Sequence, residues 1–172
     1  GCASHRALAA EAVQQSAVLL KNKQTVLPLA KSLPRLLVAG RAANDIGYQC
    51  GGWTISWMGE PGPITTGSTI LEGVRESVGA EAVCYNADGR FNESAEVGLV
   101  VIAEEPYAEG MGDRADLHLT ADQRALLNRV RPRVDKLIVV LLSGRPLIVT
   151  EQLAEWDAFV AAWLPGSEGA GL

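Results

Sequence analysis

Apolar and polar positions along this chain follow two rhythms. In "SHRALAAEAVQQSAVLLKN", Ser4 to Asn22, the residues Leu8, Ala12, Val13, Ala17 and Leu20 fall near one face of a helix, and Ser4 stands where it can cap the start. The connector "TVLPLAKSLP" follows, broken by Pro28 and Pro34. "RLLVAG", Arg35 to Gly40, is a short apolar run ending in glycine, the pattern of a parallel strand buried on both faces. "STILEGVRESVG" then reads as a helix capped by Ser68 and ended by Gly79, and "AVCYN" as a weak strand. "EVGLVVIAE" and "DKLIVVLLSG" are strong strands. Between them, "TADQRALLNRVRP" is a helix capped by Thr120 and stopped by Pro132. "EQLAEW" is a short helix and "AFVAAWLPG" a last strand.

This alternation predicts an α/β fold: a three-layer α/β/α sandwich around a mostly parallel sheet of about five to six strands. Two stretches break the rhythm. Nothing periodic runs from Ala42 to Gly67, or from Glu104 to Leu119 in "EEPYAEGMGDRADLHL". Ordinary connections of this kind take about 2–6 residues. The tryptophan, tyrosine and glycine in them argue against disorder. Both leave the C-terminal end of an expected parallel strand, as do "SGRP" (143–146) and "LPGSEG" (164–169). Loops at that edge of an open α/β sheet gather where ligands bind. If the strands are parallel, Trp53, Trp57, Glu109, Asp113, Arg145 and Glu168 share one rim.

Two readings of that rim remain open. Trp53 and Trp57 are either platforms for the apolar faces of sugar rings or plugs that seat their loop on the domain. The acids Glu104, Glu105, Glu109, Asp113 and Asp116 either line a cleft or form a solvated acidic loop. Ser143 lies in no nucleophile elbow, Ser167 in "PGSEG" resembles one only loosely, and His5 and His118 read as surface or structural residues.

Composition narrows the classes. The net charge is −5 at pH 7 and no long basic run appears, so nucleic acid is a poor partner. No apolar run reaches the roughly 20 residues of a membrane span. The three cysteines, Cys2, Cys50 and Cys84, have no metal-ligand spacing and define no disulfide. No phosphate- or dinucleotide-binding glycine motif follows the first strand, so neither metal nor cofactor is expected. The chain starts without Met and stops at "PGSEGAGL", which reads as a fragment at both ends.

Five motifs, taken together and in order, carry a family resemblance: "AVLLKN…LPL", "LLVAGRAANDIGYQCGGWTISWMG", "EEPYAEGMGD", "VVLLSGRPLIV" and "AAWLPGSEGAG". They resemble the C-terminal α/β sandwich domain of glycoside hydrolase family 3, closest to its exo-acting β-glucan glucohydrolases and β-glucosidases, and span almost the whole chain. The resemblance implies a domain that works with an N-terminal (β/α)8 barrel, which supplies an aspartate nucleophile not present here. It implies that Glu109 is the general acid/base of a retaining hydrolysis, with the two carboxyls roughly 5–5.5 Å apart once assembled. Trp57 would be one jaw of a clamp on the glucosyl unit beside the scissile bond, and Trp53 a wall of the pocket. Substrates would be β-glucosides and β-glucan oligosaccharides. Residues 1–34 would lead in from the barrel, residues 35–172 would form the sandwich, truncated at its C-terminal end, and the isolated chain would be inactive.

Two alternatives remain: a non-catalytic carbohydrate- or nucleotide-binding α/β module, and a β-xylosidase or N-acetylglucosaminidase of the same family. The "GGWTISW" pair favours glucosides on the resemblance. Parents of this type are periplasmic or secreted; no residue here assigns a location.

Overall fold

The computed structural model describes residues 1–172. Helix α1 (Ala3–Ser16) leads directly into strand β1 (Val18–Asn22). Strand β2 (Leu36–Ala39), the short helix α2 (Ile46–Cys50), helix α3 (Ile70–Val78) and strand β3 (Val83–Asn86) follow. The chain continues through β4 (Ala95–Ala103), α4 (Ala121–Val130), β5 (Val134–Leu142), α5 (Thr150–Leu153) and β6 (Ala158–Trp163).

The six strands form one sheet in the order β1-β6-β5-β4-β2-β3. Strands β2 to β6 run parallel, and β1 joins the edge antiparallel to β6. This is the sandwich that the alternating pattern predicts. The parallel strands are buried on both faces, which explains their continuous apolar runs. On one face Leu36, Val38, Leu99, Val101, Ile138 and Val140 pack with Ile70 and Leu71 of α3. On the other Leu37, Val100, Ile102, Val139 and Leu141 pack with Leu126, Leu127 and Val130 of α4. Strands β2 and β4 are neighbours, yet the helices that follow them cover opposite faces. A crevice therefore opens between their C-terminal ends, where the winding reverses.

The N-terminal region differs from expectation. The helix ends at Ser16, because Ala17 is already extended (φ −63°, ψ 137°), and Val18 and Leu19 pair with Ala161 and Val160 of β6. A short apolar run serves a helix face or a strand equally well, and here the free edge of β6 decides. The sheet thus begins inside the segment expected only to lead in. Ser4 does not cap α1, which starts after Cys2 without a side-chain cap.

Elsewhere the helix starts are built from local hydrogen bonds. Thr69, rather than Ser68, caps α3, in a reciprocal box with Glu72, while Thr120 and Gln123 do the same for α4. Gly79 ends α3, and Pro132 lies in the 3₁₀ turn (131–133) that follows α4.

Trp156, between α5 and β6, is 2% exposed, and its ring lies 5.0 Å from that of Phe159. Trp156→Ala should destabilise the protein by about 3–5 kcal/mol in a denaturant titration. A loss below about 1 kcal/mol would show that this side of the core closes without the indole.

Candidate active site

The loop after β2 is ordered from within. Its first turn (Arg41–Asn44) is 3₁₀ and is followed by α2, whose Asp45 cap accepts from Tyr48 N at 3.1 Å and Gly62 N at 2.7 Å. Asp45 thereby joins the two ends of the excursion. Gln49 is fully buried: its Nε2 donates to Ser68 O and Gly166 O, both at 3.1 Å, and its Oε1 accepts from Ile70 N at 3.1 Å. One amide thus binds this loop to the start of α3 and to the loop after β6.

Beyond α2 the chain makes a tight turn in which Trp53 N donates to Trp57 O at 3.0 Å. The two rings meet edge to face, with centroids 6.5 Å apart and planes at 68°. Trp53 is 68% and Trp57 49% exposed, so neither ring is sealed into the core. Both stand open on a short, self-bonded loop.

The loop after β4 carries the acids. Glu104 Oε1 accepts from Arg145 Nε at 3.0 Å and Nη2 at 2.9 Å, and its Oε2 accepts from the Tyr107 hydroxyl at 3.3 Å. Glu105 Oε1 accepts from the Tyr48 hydroxyl at 2.5 Å. Burial, reinforced by that carboxylate, pushes the Tyr48 hydroxyl up to about 12, so it stays a donor at neutral pH. Asp116 is paired with His118. Glu109 opens an exposed 3₁₀ turn (Glu109–Gly112) and has a left-handed backbone, φ 50°. A non-glycine residue held there is strained, and such strain gathers at functional positions.

The two loops touch. A Cβ added to Gly52 would run into the carbonyl of Tyr107, and one added to Gly112 would run into the Tyr107 ring. Tyr107 is thus wedged between the backbone before Trp53 and the end of the Glu109 turn. A cleft of about 850 Å³ opens beside them at the β2–β4 crevice, with Met58 of the first loop and Met111 of the second on its walls. Arg145 and Asp113 line it, whereas Trp53, Trp57 and Glu109 stand outside it on the exposed rim. No group of three or more His, Cys, Asp or Glu side chains is arranged to hold a metal ion.

Glu168 does not belong to the rim. It is 6% exposed and accepts from Arg6 Nε at 2.7 Å, Arg6 Nη2 at 3.0 Å and Ser68 Oγ at 3.0 Å. It anchors α1 to the last turn of the chain and to the start of α3. Sequence reasoning missed Gln49 and the Tyr107 wedge. The one available signal was the glycine spacing around them, "QCGGW" and "YAEGMG".

Residues 17–172 match the model of the glycosyl hydrolase family 3 C-terminal domain. The chain belongs to glycoside hydrolase family 3. Among family 3 structures, the exo-1,3/1,4-beta-glucanase from a Pseudoalteromonas species superposes with a TM-score of 0.91 at 42% identity, covering 99% of this chain and 22% of its own. A lysosomal beta glucosidase from Dictyostelium discoideum is 31% identical over 98% of this chain and 23% of its own length. A beta-xylosidase from Formosa agariphila is 28% identical over 96% of this chain and 25% of its own length. The chain therefore spans about a quarter of these family members.

The Arg6–Glu168 pair makes a pH prediction. Arg6 holds the Glu168 carboxyl below its ordinary value of 4.5. The pair therefore stabilises the fold fully above that value, and its contribution fades as the pH falls through the lower, folded value. Glu168→Gln should lower stability at pH 7 and flatten the acid limb of the stability curve. An unchanged acid limb would contradict the pairing.

Proposed function

We propose that this domain supplies half the active site of a retaining, exo-acting β-glucosidase or β-glucan glucohydrolase. Glu109 is its acid/base group, Trp57 its sugar platform, and Trp53 the wall beside it. The observation that carries this reading is the contact of Gly52 with Tyr107, which joins an exposed tryptophan pair to a loop presenting an exposed, strained glutamate. Among the rival acids, Glu104 and Glu105 are already engaged by Arg145 and by Tyr48.

The nucleophile, an aspartate, comes from an N-terminal (β/α)8 barrel that packs against this rim. The lead-in from that barrel ends with α1, since β1 is already part of the sheet. In the first step the barrel aspartate attacks the anomeric carbon while Glu109 donates its proton to the glycosidic oxygen, releasing the aglycone. In the second, the Glu109 carboxylate takes a proton from water as the water oxygen attacks the anomeric carbon, breaking its ester bond to the aspartate and releasing the sugar. The ring of Trp57 holds the sugar plane by stacking, which tolerates several linkages. The domain alone turns nothing over.

In the full-length enzyme, Glu109→Ala should cut kcat/KM on phenyl β-glucoside by about 10²–10⁴-fold. It should spare 2,4-dinitrophenyl β-glucoside, whose leaving group needs no proton. Near-normal rates on both would reject Glu109 and point to Asp113. Trp57→Ala should raise KM for β-glucan oligosaccharides by about tenfold, the ~1.4 kcal/mol of a lost stacking contact. A higher kcat/KM on p-nitrophenyl β-xyloside than on the β-glucoside would reject the glucosidase reading in favour of a xylosidase.

A further inference from the structure

The turn that presents Glu109 is tied at its far end by a side chain from a different strand. Arg145 follows β5, and its Nη2 donates to Gly112 O, the last residue of the Glu109–Gly112 turn, at 2.7 Å. The same guanidinium grips Glu104 Oε1 through both Nε and Nη2, at 3.0 and 2.9 Å. Its carbon lies 4.5 Å from the Tyr107 ring centroid. Arg145 thus binds the first residue of the excursion after β4, the Tyr107 ring within it and the carbonyl at the end of its Glu109–Gly112 turn.

We propose that Arg145 is a positioning residue for the acid/base step: it fixes the Glu109 turn, and through it the direction of proton delivery to the glycosidic oxygen. The proposal rests on the reading of Glu109 as the acid/base group. Beside this clasp, the turn is held by the Tyr107 ring against Gly112 and by Arg114, just past its end, 3.6 Å from Glu104 Oε1. None of its residues is buried, and at its C-terminal end Asp113 N donates to Gly110 O at 3.1 Å. Glu109 keeps its left-handed backbone only while its surroundings over-determine it. The Arg145 clasp, by contrast, is shielded: the Glu104 side chain is 8% and the Arg145 side chain 23% exposed. A planar, forked cation serves both acceptors at once, which a lysine ammonium does not reproduce.

The signature differs from that of a merely structural arginine. Misplacing a reacting group by about 1 Å costs on the order of 10²-fold in rate, and in the step that kcat/KM reports the reacting group on this turn is Glu109, which donates the proton. Substrates whose leaving group needs no proton should be spared.

The test compares Arg145→Ala, Arg145→Lys and Glu109→Ala in the full-length enzyme, on phenyl and on 2,4-dinitrophenyl β-glucoside. Arg145→Lys keeps the Glu104 charge paired, so it reports even where Arg145→Ala fails to fold. The expected result for the folded Arg145 variants is a loss of about 10²-fold in kcat/KM on the phenyl glucoside, smaller for the lysine, with the dinitrophenyl glucoside nearly unaffected. An equal loss on both substrates, beside a leaving-group-dependent Glu109→Ala, overturns the positioning role and leaves Glu109 standing. An equal loss on both in Glu109→Ala itself overturns Glu109 and, with it, this proposal.

Discussion

The rim of this domain depends on a lack of space. Tyr107 sits so close to Gly52 on one side and Gly112 on the other that neither position has room for one more carbon. Two long loops become one surface because their backbones meet at this residue. Exposed polar loops have little apolar area with which to fix themselves, so steric exclusion and a few shielded polar contacts do so instead. The tryptophan turn takes its position from α2 and Gln49 behind it, and the acidic turn from Arg145 and Glu104 below it. Both meet at Tyr107.

The sheet explains why these loops meet at all. Five parallel strands send every following loop to the same edge, and the reversal of winding between β2 and β4 leaves that edge open. The fold provides a frame, and the chemistry lies in what the loops present. The domain therefore has an exposed carboxylate and an exposed aromatic pair, but on its own no enclosed site around them. Such a surface suits an active site completed by a second domain.

Much of this was legible in the chain. The parallel strands are continuous apolar runs because both their faces are covered, and the helices between them carry their own caps and stops. The rim could be inferred from strand direction alone. The rest required distances that sequence does not carry. Strand β1 has an apolar pattern that serves a helix equally well, and only its partner β6 decides the matter. Glu168 looks like one more acid in a ligand loop until its partner, Arg6, is found 162 positions away. Arg145 and Glu104, 41 positions apart, belong together for the same reason. Gln49 is a polar residue in a polar-looking loop, and its burial follows from three backbone partners on other segments. The roles expected of Glu109, Trp53 and Trp57 came from the family motif, since acids and aromatic rings in a loop admit several uses.

The pairing of β1 with β6 bears on the order in which the domain forms. Strand β1 has a single partner in the sheet, β6, and β2 to β5 all lie between the two in sequence. During synthesis, β2 to β5 can assemble as their residues emerge, each beside a neighbour already present. Strand β1 must wait until β6 is added, its backbone groups without a ladder partner in the meantime. Closing so long a loop is slow, because its entropy is lost before any contact compensates. Strand β1 thus docks only after β6, although the four strands that follow it in sequence can already be paired by then.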